Sequence, residues 1–219
     1  MKKPYLFLAV QAALYAAFLG LDLFLPGSGW AVPLKYFSIL LCFLWSLGSA
    51  GNLDGKLTST ALAFTLLADL FLLVLDRWYG VGVASFCVVQ MLYLARIHRA
   101  GTRPLALRLL LRAGLTALLL SAGAALGALN GLTALTLIYF SQLVSNFLAG
   151  LSLGRLGRLF TLGLLLFMGC DLCVGLNNLS SALPQAAVLT LLPFARVGMW
   201  LFYLPSQVLI TLSAGKLCD

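Results

Sequence analysis

The chain is a succession of apolar stretches, most of them close to 20 residues long, separated by short polar breaks. An α-helix rises about 1.5 Å per residue, so about 20 apolar residues are needed to cross the hydrocarbon core of a bilayer. Eight such stretches can be marked, at about residues 5–25, 33–49, 57–75, 80–97, 107–128, 132–152, 159–176 and 194–214. The connections carry helix breakers: Pro26-Gly27-Ser28-Gly29, the run from Gly48 to Gly55, Asn130-Gly131, Gly154 to Gly157, and Asn177 to Ser181. A further apolar piece, 182–193, holds Pro184 and Pro193 and is too short to span. It reads as a re-entrant or interfacial segment, or as an extension of the eighth helix. The first stretch is longer than the apolar part of a cleavable signal and reads as a retained helix. The expected fold is therefore all-α: one polytopic transmembrane domain over residues 1–219, with eight spans and no soluble domain.

Composition agrees, with 62% of residues hydrophobic and only 9% charged, where a soluble domain carries about a quarter. The net charge of +8 would suggest nucleic acid in a soluble protein. Here the basic residues lie between apolar spans, where they set orientation in the bilayer and give no reason to expect nucleic acid. With the N-terminus placed in the cytoplasm, Lys2, Lys3, Lys56, Arg96, Arg99, Arg103, Arg108, Arg112, Arg155, Arg158 and Lys216 fall inside, and Lys35, Arg77 and Arg196 outside. That asymmetry predicts both termini in the cytoplasm and, if the source is bacterial, residence in the cell membrane. The run from Arg99 to Arg112 is expected to meet anionic headgroups. Trp30, Trp78 and Tyr79 read as interfacial belt residues, and Asp22 and Asp76 as interfacial acids near helix ends.

Two acids do not fit an interfacial reading. Asp69 and Asp171 sit inside Leu66-Leu67-Ala68-Asp69-Leu70-Phe71 and Phe167-Met168-Gly169-Cys170-Asp171-Leu172. A carboxylate at the centre of a membrane helix disfavours insertion by about 2.5–3.5 kcal/mol, so such residues are normally functional. Asp69 follows Lys56, and Asp171 follows Arg158, by 13 residues each. On helices running the same way this puts both carboxyls about 20 Å above a basic residue, at one depth. Other polar groups reach intermediate depths: Thr65 one turn before Asp69, Gln90 and Tyr93 on the fourth helix, Gln142 and Asn146 on the sixth, Tyr203 and Gln207 on the eighth. Gln207 is placed to reach the aspartate layer.

The rest of the composition narrows the chemistry. His98 is the only histidine, which removes a zinc hydrolase and a Ser-His-Asp triad. No Gly-rich phosphate loop ending in Lys-Ser/Thr occurs. Of the five cysteines, Cys42, Cys87, Cys170 and Cys173 lie inside apolar stretches and Cys218 near the end. Cys170-x-x-Cys173 has redox spacing but no βαβ context, so packing is the simpler reading. A pair of carboxylates suits acid/base hydrolysis through a cationic intermediate, aspartyl proteolysis, or proton or cation coupling in a transporter.

Four motifs narrow this further. Thr65-x-x-Ala68-Asp69, Phe86-x3-Gln90-x2-Tyr93, Phe167-x2-Cys170-Asp171 and Tyr203-x3-Gln207-x-Leu209-Ile210 resemble, in order and helix by helix, elements of the YhhN family, the lysoplasmalogenases. The family has Ser at 65 and 170, Gly at 68 and His at 90. Gln can hydrogen-bond but cannot exchange a proton near neutral pH. The resemblance implies hydrolysis of the vinyl-ether bond of a lysophospholipid, the lysoplasmalogen, to a fatty aldehyde and glycerophosphoethanolamine or glycerophosphocholine. Asp69 and Asp171 are then the catalytic pair, and Thr65, Gln90, Tyr93, Asn146, Cys170, Tyr203 and Gln207 contact substrate or water. No metal and no cofactor are needed. The competing readings are a proton-coupled transporter, an inactive lipid-binding relative in view of Gln90, and an intramembrane aspartyl protease. The protease reading lacks the Tyr-Asp element, and Gly169-Cys170-Asp171 matches its Gly-x-Gly-Asp element only in part.

Overall fold

The structure, a computed structural model, describes residues 4–101, 103–178 and 185–217. Lys2, Lys3, Cys218, part of the Asn177 to Ser181 break and residues 182–184 of the short apolar segment lie outside them. Eight long helices follow in order: α1 (Tyr5–Phe24), α2 (Ala31–Ser46), α3 (Leu53–Asp69), α4 (Tyr79–Ala100), α5 (Leu105–Ala125), α6 (Gly131–Gly150), α7 (Arg158–Asn178) and α8 (Gln185–Leu212). No strand occurs among the described residues. Seven of these helices are long and apolar enough to cross a membrane, and the protein is a polytopic helical membrane protein. The eighth, α8, runs Gln185–Leu212, so the short apolar segment is an extension of it over its described residues. Residues 185–193 are its first turns, so Pro193 lies inside a helix together with Pro205.

The helix starts follow local chemistry. Asn52 caps α3, its side chain accepting from the Gly55 N–H at 2.8 Å, and Asn130 caps α6 by accepting from Thr133 N–H at 2.9 Å. At the other end of α3 the backbone widens into a π-helical turn, Leu70–Val74, directly after Asp69. Such turns interrupt α-helices most often at functional sites.

Packing closes six helices into a ring, in the order α2, α3, α4, α6, α7, α8 and back to α2. Outside it, α1 leans on α2 and α8, and α5 packs on α6. Burial follows this plan, highest along α3 and α4 and lowest along α1 and α5. The tightest pairing, α7 with α8, depends on missing side chains. A Cβ at Gly163 would lie 2.7 Å from Ile210 Cγ1, and one at Gly198 would lie 2.7 Å from Cys173 Sγ. Small residues at such crossings let membrane helices approach closely. Trp30, Trp78 and Tyr79 are exposed, as belt residues should be.

Several charges expected at the surface are inside. Arg96 is fully buried in an ion pair with Asp54, at 2.8 and 3.0 Å, and also donates to the Ser213 carbonyl. Its guanidinium lies 4.5 Å from the Phe160 ring centre. One buried pair thus ties α3, α4, α7 and the end of α8. Lys35, counted among the outer charges, is buried and pairs at 2.8 Å with the part-exposed Asp22 near the end of α1, and its ammonium lies 5.1 Å over Trp200. Arg108 and Arg112 are also buried and do not face headgroups. The physical reason is common to all of them: sequence position gives depth along a helix but not which side of the helix faces the protein.

The Asp54–Arg96 pair gives a stability test. Removing one partner strands the other charge, which typically costs about 3–5 kcal/mol, whereas replacing both by apolar residues is often close to neutral. Asp54→Ala should lower thermal stability sharply in detergent-purified protein. Asp54→Ala with Arg96→Leu should recover most of the loss.

Candidate active site

Asp69 ends the regular part of α3 and is buried, at 5% exposure. Its partner comes from α8: the Tyr203 hydroxyl donates to both Asp69 oxygens, at 2.9 Å each. Asp171, on α7, is only half-buried. Its partner comes from α6, where the Tyr139 hydroxyl donates to Oδ2 at 2.7 Å. Both tyrosines are buried. α3 and α7 are not main packing partners, and each carboxyl is held by a tyrosine from a different helix, Asp69 by α8 and Asp171 by α6.

An aromatic layer joins the two halves. Phe167 stands between the tyrosines, with ring centres 5.6 Å from Tyr203 and 6.4 Å from Tyr139. Phe86 packs on Phe167 and Tyr139, at 5.5 Å from each, and Trp200 meets Tyr203 edge-on at 5.2 Å. Such contacts hold rings in fixed mutual geometry, and here they hold the two phenol hydroxyls that carry the carboxyls. The buried Cys170 thiol lies within electrostatic reach of both Asp69 and Asp171. Tyr36 of α2 lies within reach of Asp69.

A second polar group lies on α4, α5 and α6. Asn146 Nδ2 donates to Gln90 Oε1 at 2.8 Å and to the Gln90 carbonyl at 2.9 Å. On its other side Asn146 Oδ1 accepts from Arg112, which also donates to Gln142 Oε1. Tyr93, one turn after Gln90 on α4, packs against Phe160 at 5.2 Å. Gln90 Nε2 and the Tyr93 hydroxyl are buried without a protein partner.

Asp69 with Tyr203, and Asp171 with Tyr139 and the neighbouring Cys170, are thus joined through the Phe167 ring, and Gln90, Asn146 and Tyr93 lie in or beside the second group. The other two residues singled out, Thr65 and Gln207, bond within their own helices. The Thr65 hydroxyl bonds back to the Ala61 carbonyl of its own helix, and Gln207 Nε2 donates to Ser206 Oγ, leaving Gln207 Oε1 buried and unpartnered. Tyr139 and Arg112 were missed by the sequence reading as members of these groups. A signal existed: Tyr139, Gln142 and Asn146 recur at helical spacing on α6, marking one polar face.

The fold and these residues define a class: polytopic helical membrane proteins that carry two tyrosine-bonded carboxyls within their helices. The YhhN family profile matches residues 30–214, and the chain belongs to the YhhN family. Neither a curated protein nor a solved structure matches it.

The unequal burial of the two carboxyls predicts unequal mutational costs. A buried acceptor stripped of its donor costs about 1–3 kcal/mol. Tyr203→Phe should therefore lower the unfolding midpoint clearly. Tyr139→Phe should lower it less, because half-buried Asp171 can find another donor. Thermal unfolding of both variants in one detergent checks the order.

Proposed function

We propose that this protein is a membrane-embedded ether hydrolase. It opens the vinyl-ether bond of lysoplasmalogens to a fatty aldehyde and glycerophosphoethanolamine or glycerophosphocholine. The observation that carries this reading is the pair of intramembrane carboxyls, each held by a buried tyrosine from another helix, in a chain of the YhhN family.

A vinyl ether is not opened by direct attack of hydroxide. A general acid must first protonate the alkene carbon remote from oxygen. The carbon bonded to oxygen then carries positive charge, shared with the oxygen as an oxocarbenium ion. Water adds to that carbon and gives up a proton, forming a hemiacetal. Collapse of the hemiacetal, with a proton passing to the glycerol oxygen, releases aldehyde and headgroup. Asp69 and Asp171 divide these tasks: one carboxyl donates the proton, and its ionised partner stabilises the cation and accepts a proton from water. The proton count closes at the end of the cycle.

Tyr203 and Tyr139 act as positioning residues, since they hold the carboxyls through single hydroxyls. The substrate approaches from the side on which Asp171 is half-exposed, because Asp69 is enclosed. Gln90 Nε2, the Tyr93 hydroxyl and Gln207 Oε1 are buried polar atoms with bonding capacity to spare, and these suit them to orient water and the ether oxygen. Thr65 and Cys170 shape the wall beside the aspartates. With Gln at position 90, proton transfer rests on the carboxyls alone.

The test is aldehyde release from a lysoplasmalogen by purified, reconstituted protein. Asp69→Asn and Asp171→Asn should each cut turnover by at least about 100-fold, the scale of lost acid–base catalysis, with thermal unfolding close to wild type. Activity retained in both variants removes the pair from the mechanism. Proton-dependent uptake into liposomes with no cleavage would assign the same residues to a transporter.

A further inference from the structure

A groove of about 450 Å³ opens between the end of α6 and the first two turns of α7, and neither aspartate lines it. Its rim carries Arg155 and Arg158, and its walls include Thr161, Phe147, Leu162 and Leu165. Both arginines are exposed, and neither has an acidic partner among the described residues, where the two ion pairs are Lys35–Asp22 and Arg96–Asp54. No acid lines the groove.

Thr161 adds an independent observation. Its side chain is only 8% exposed, yet its hydroxyl has no partner. Thr58, Thr65 and Thr136 turn their hydroxyls back onto the carbonyl four residues earlier in their own helices; Thr161 does not. Gly150 lets it lie close against α6, since a Cβ there would be 2.7 Å from Thr161 Oγ1. A buried hydroxyl without a partner costs free energy unless something bonds to it.

The chemistry changes in a fixed order along the groove. Two guanidinium groups stand at the mouth, a hydroxyl lies one turn deeper, and an apolar wall runs on to Leu165, about 10 Å from Arg158 along the helix. A glycerophospholipid presents phosphate, ester and acyl chain in the same order. We propose that this groove binds an anionic phospholipid of the surrounding bilayer. Arg155 and Arg158 hold its phosphate, Thr161 donates to an oxygen of the glycerol ester region, and Phe147, Leu162 and Leu165 cover the first part of one acyl chain. The lipid is anionic because two uncompensated cations face it and no carboxylate is at hand to receive the ammonium of a choline or ethanolamine headgroup. Arginine also suits phosphate because its fork can bond two oxygens at once.

Native mass spectrometry of the full-length protein, offered equal phosphatidylglycerol and phosphatidylcholine in detergent, tests this. The wild type should retain phosphatidylglycerol preferentially. Arg155→Ala with Arg158→Ala should reduce that retention about tenfold, the scale of lost charge-assisted bonds. Thr161→Val, which keeps all charge, should reduce it by a smaller factor. Arg77→Ala with Arg196→Ala, which removes two exposed arginines elsewhere, should leave it unchanged. Equal retention of both lipids by the wild type overturns the proposal, as does equal loss in the two double variants. Undiminished retention in both the Arg155/Arg158 double variant and Thr161→Val does so too.

Discussion

Inside a bilayer there is no water to bond to, so every carboxyl, amide and guanidinium placed there must find its partner on another part of the protein. In this protein the partner is nearly always on another helix. Asp69 of α3 is held by α8, Asp171 of α7 by α6, Asp54 of α3 by Arg96 of α4, and Gln90 of α4 by Asn146 of α6. Each such bond is worth little by itself, about 0.6 kcal/mol on average between membrane helices. Leaving one of these groups unpaired costs several times more. The asymmetry makes the polar residues selectors of one helix arrangement more than sources of stability.

The site depends on that selection. Helices α3 and α7 carry the aspartates but are not principal neighbours, and the relation between the two carboxyls is set by Tyr203, Tyr139 and the Phe167 ring between them. Phe167 is on the same helix as Asp171, one turn earlier. Tyr203 is on α8, which Gly163 and Gly198 allow to lie close against α7. A bulkier residue at either glycine would move Tyr203 relative to Phe167 and so disturb Asp69 on α3. The glycines act on the chemistry through packing, without touching a reacting group.

The helices were legible because bilayer thickness imposes a length, and that length can be counted. Asp69 and Asp171 were legible because a carboxyl in an apolar run has no inexpensive explanation. The four motifs brought Cys170, Tyr203, Gln90 and Tyr93 with them. Tyr139 stayed hidden because a tyrosine in a membrane helix is ordinary and its role appears only when α6 is set against α7. Arg96 and Arg112 were assigned to the surface for the opposite reason: charges near helix ends usually reach headgroups. Nothing in a linear sequence says that these two side chains turn inward, toward Asp54 and Asn146. Depth is a one-dimensional property and can be read from spacing, while facing is not.

The inward turn of Arg112 fixes more than its own position. A guanidinium has donors only, so the Asn146 atom facing it must be the carbonyl oxygen. That choice points Asn146 Nδ2 toward Gln90, and an amide N–H₂ requires an acceptor, so Gln90 must present Oε1 to it. Gln90 Nε2 is then left as a donor with a defined direction and no protein partner. Arg112, on a peripheral helix, thereby determines which hydrogen-bonding character appears at position 90. The glutamine offers there what the N–H of a neutral histidine would offer, a fixed donor, while lacking the ability to pass a proton on. In the proposed mechanism position 90 orients water or the ether oxygen, and proton transfer is left to the two carboxyls that the tyrosines hold.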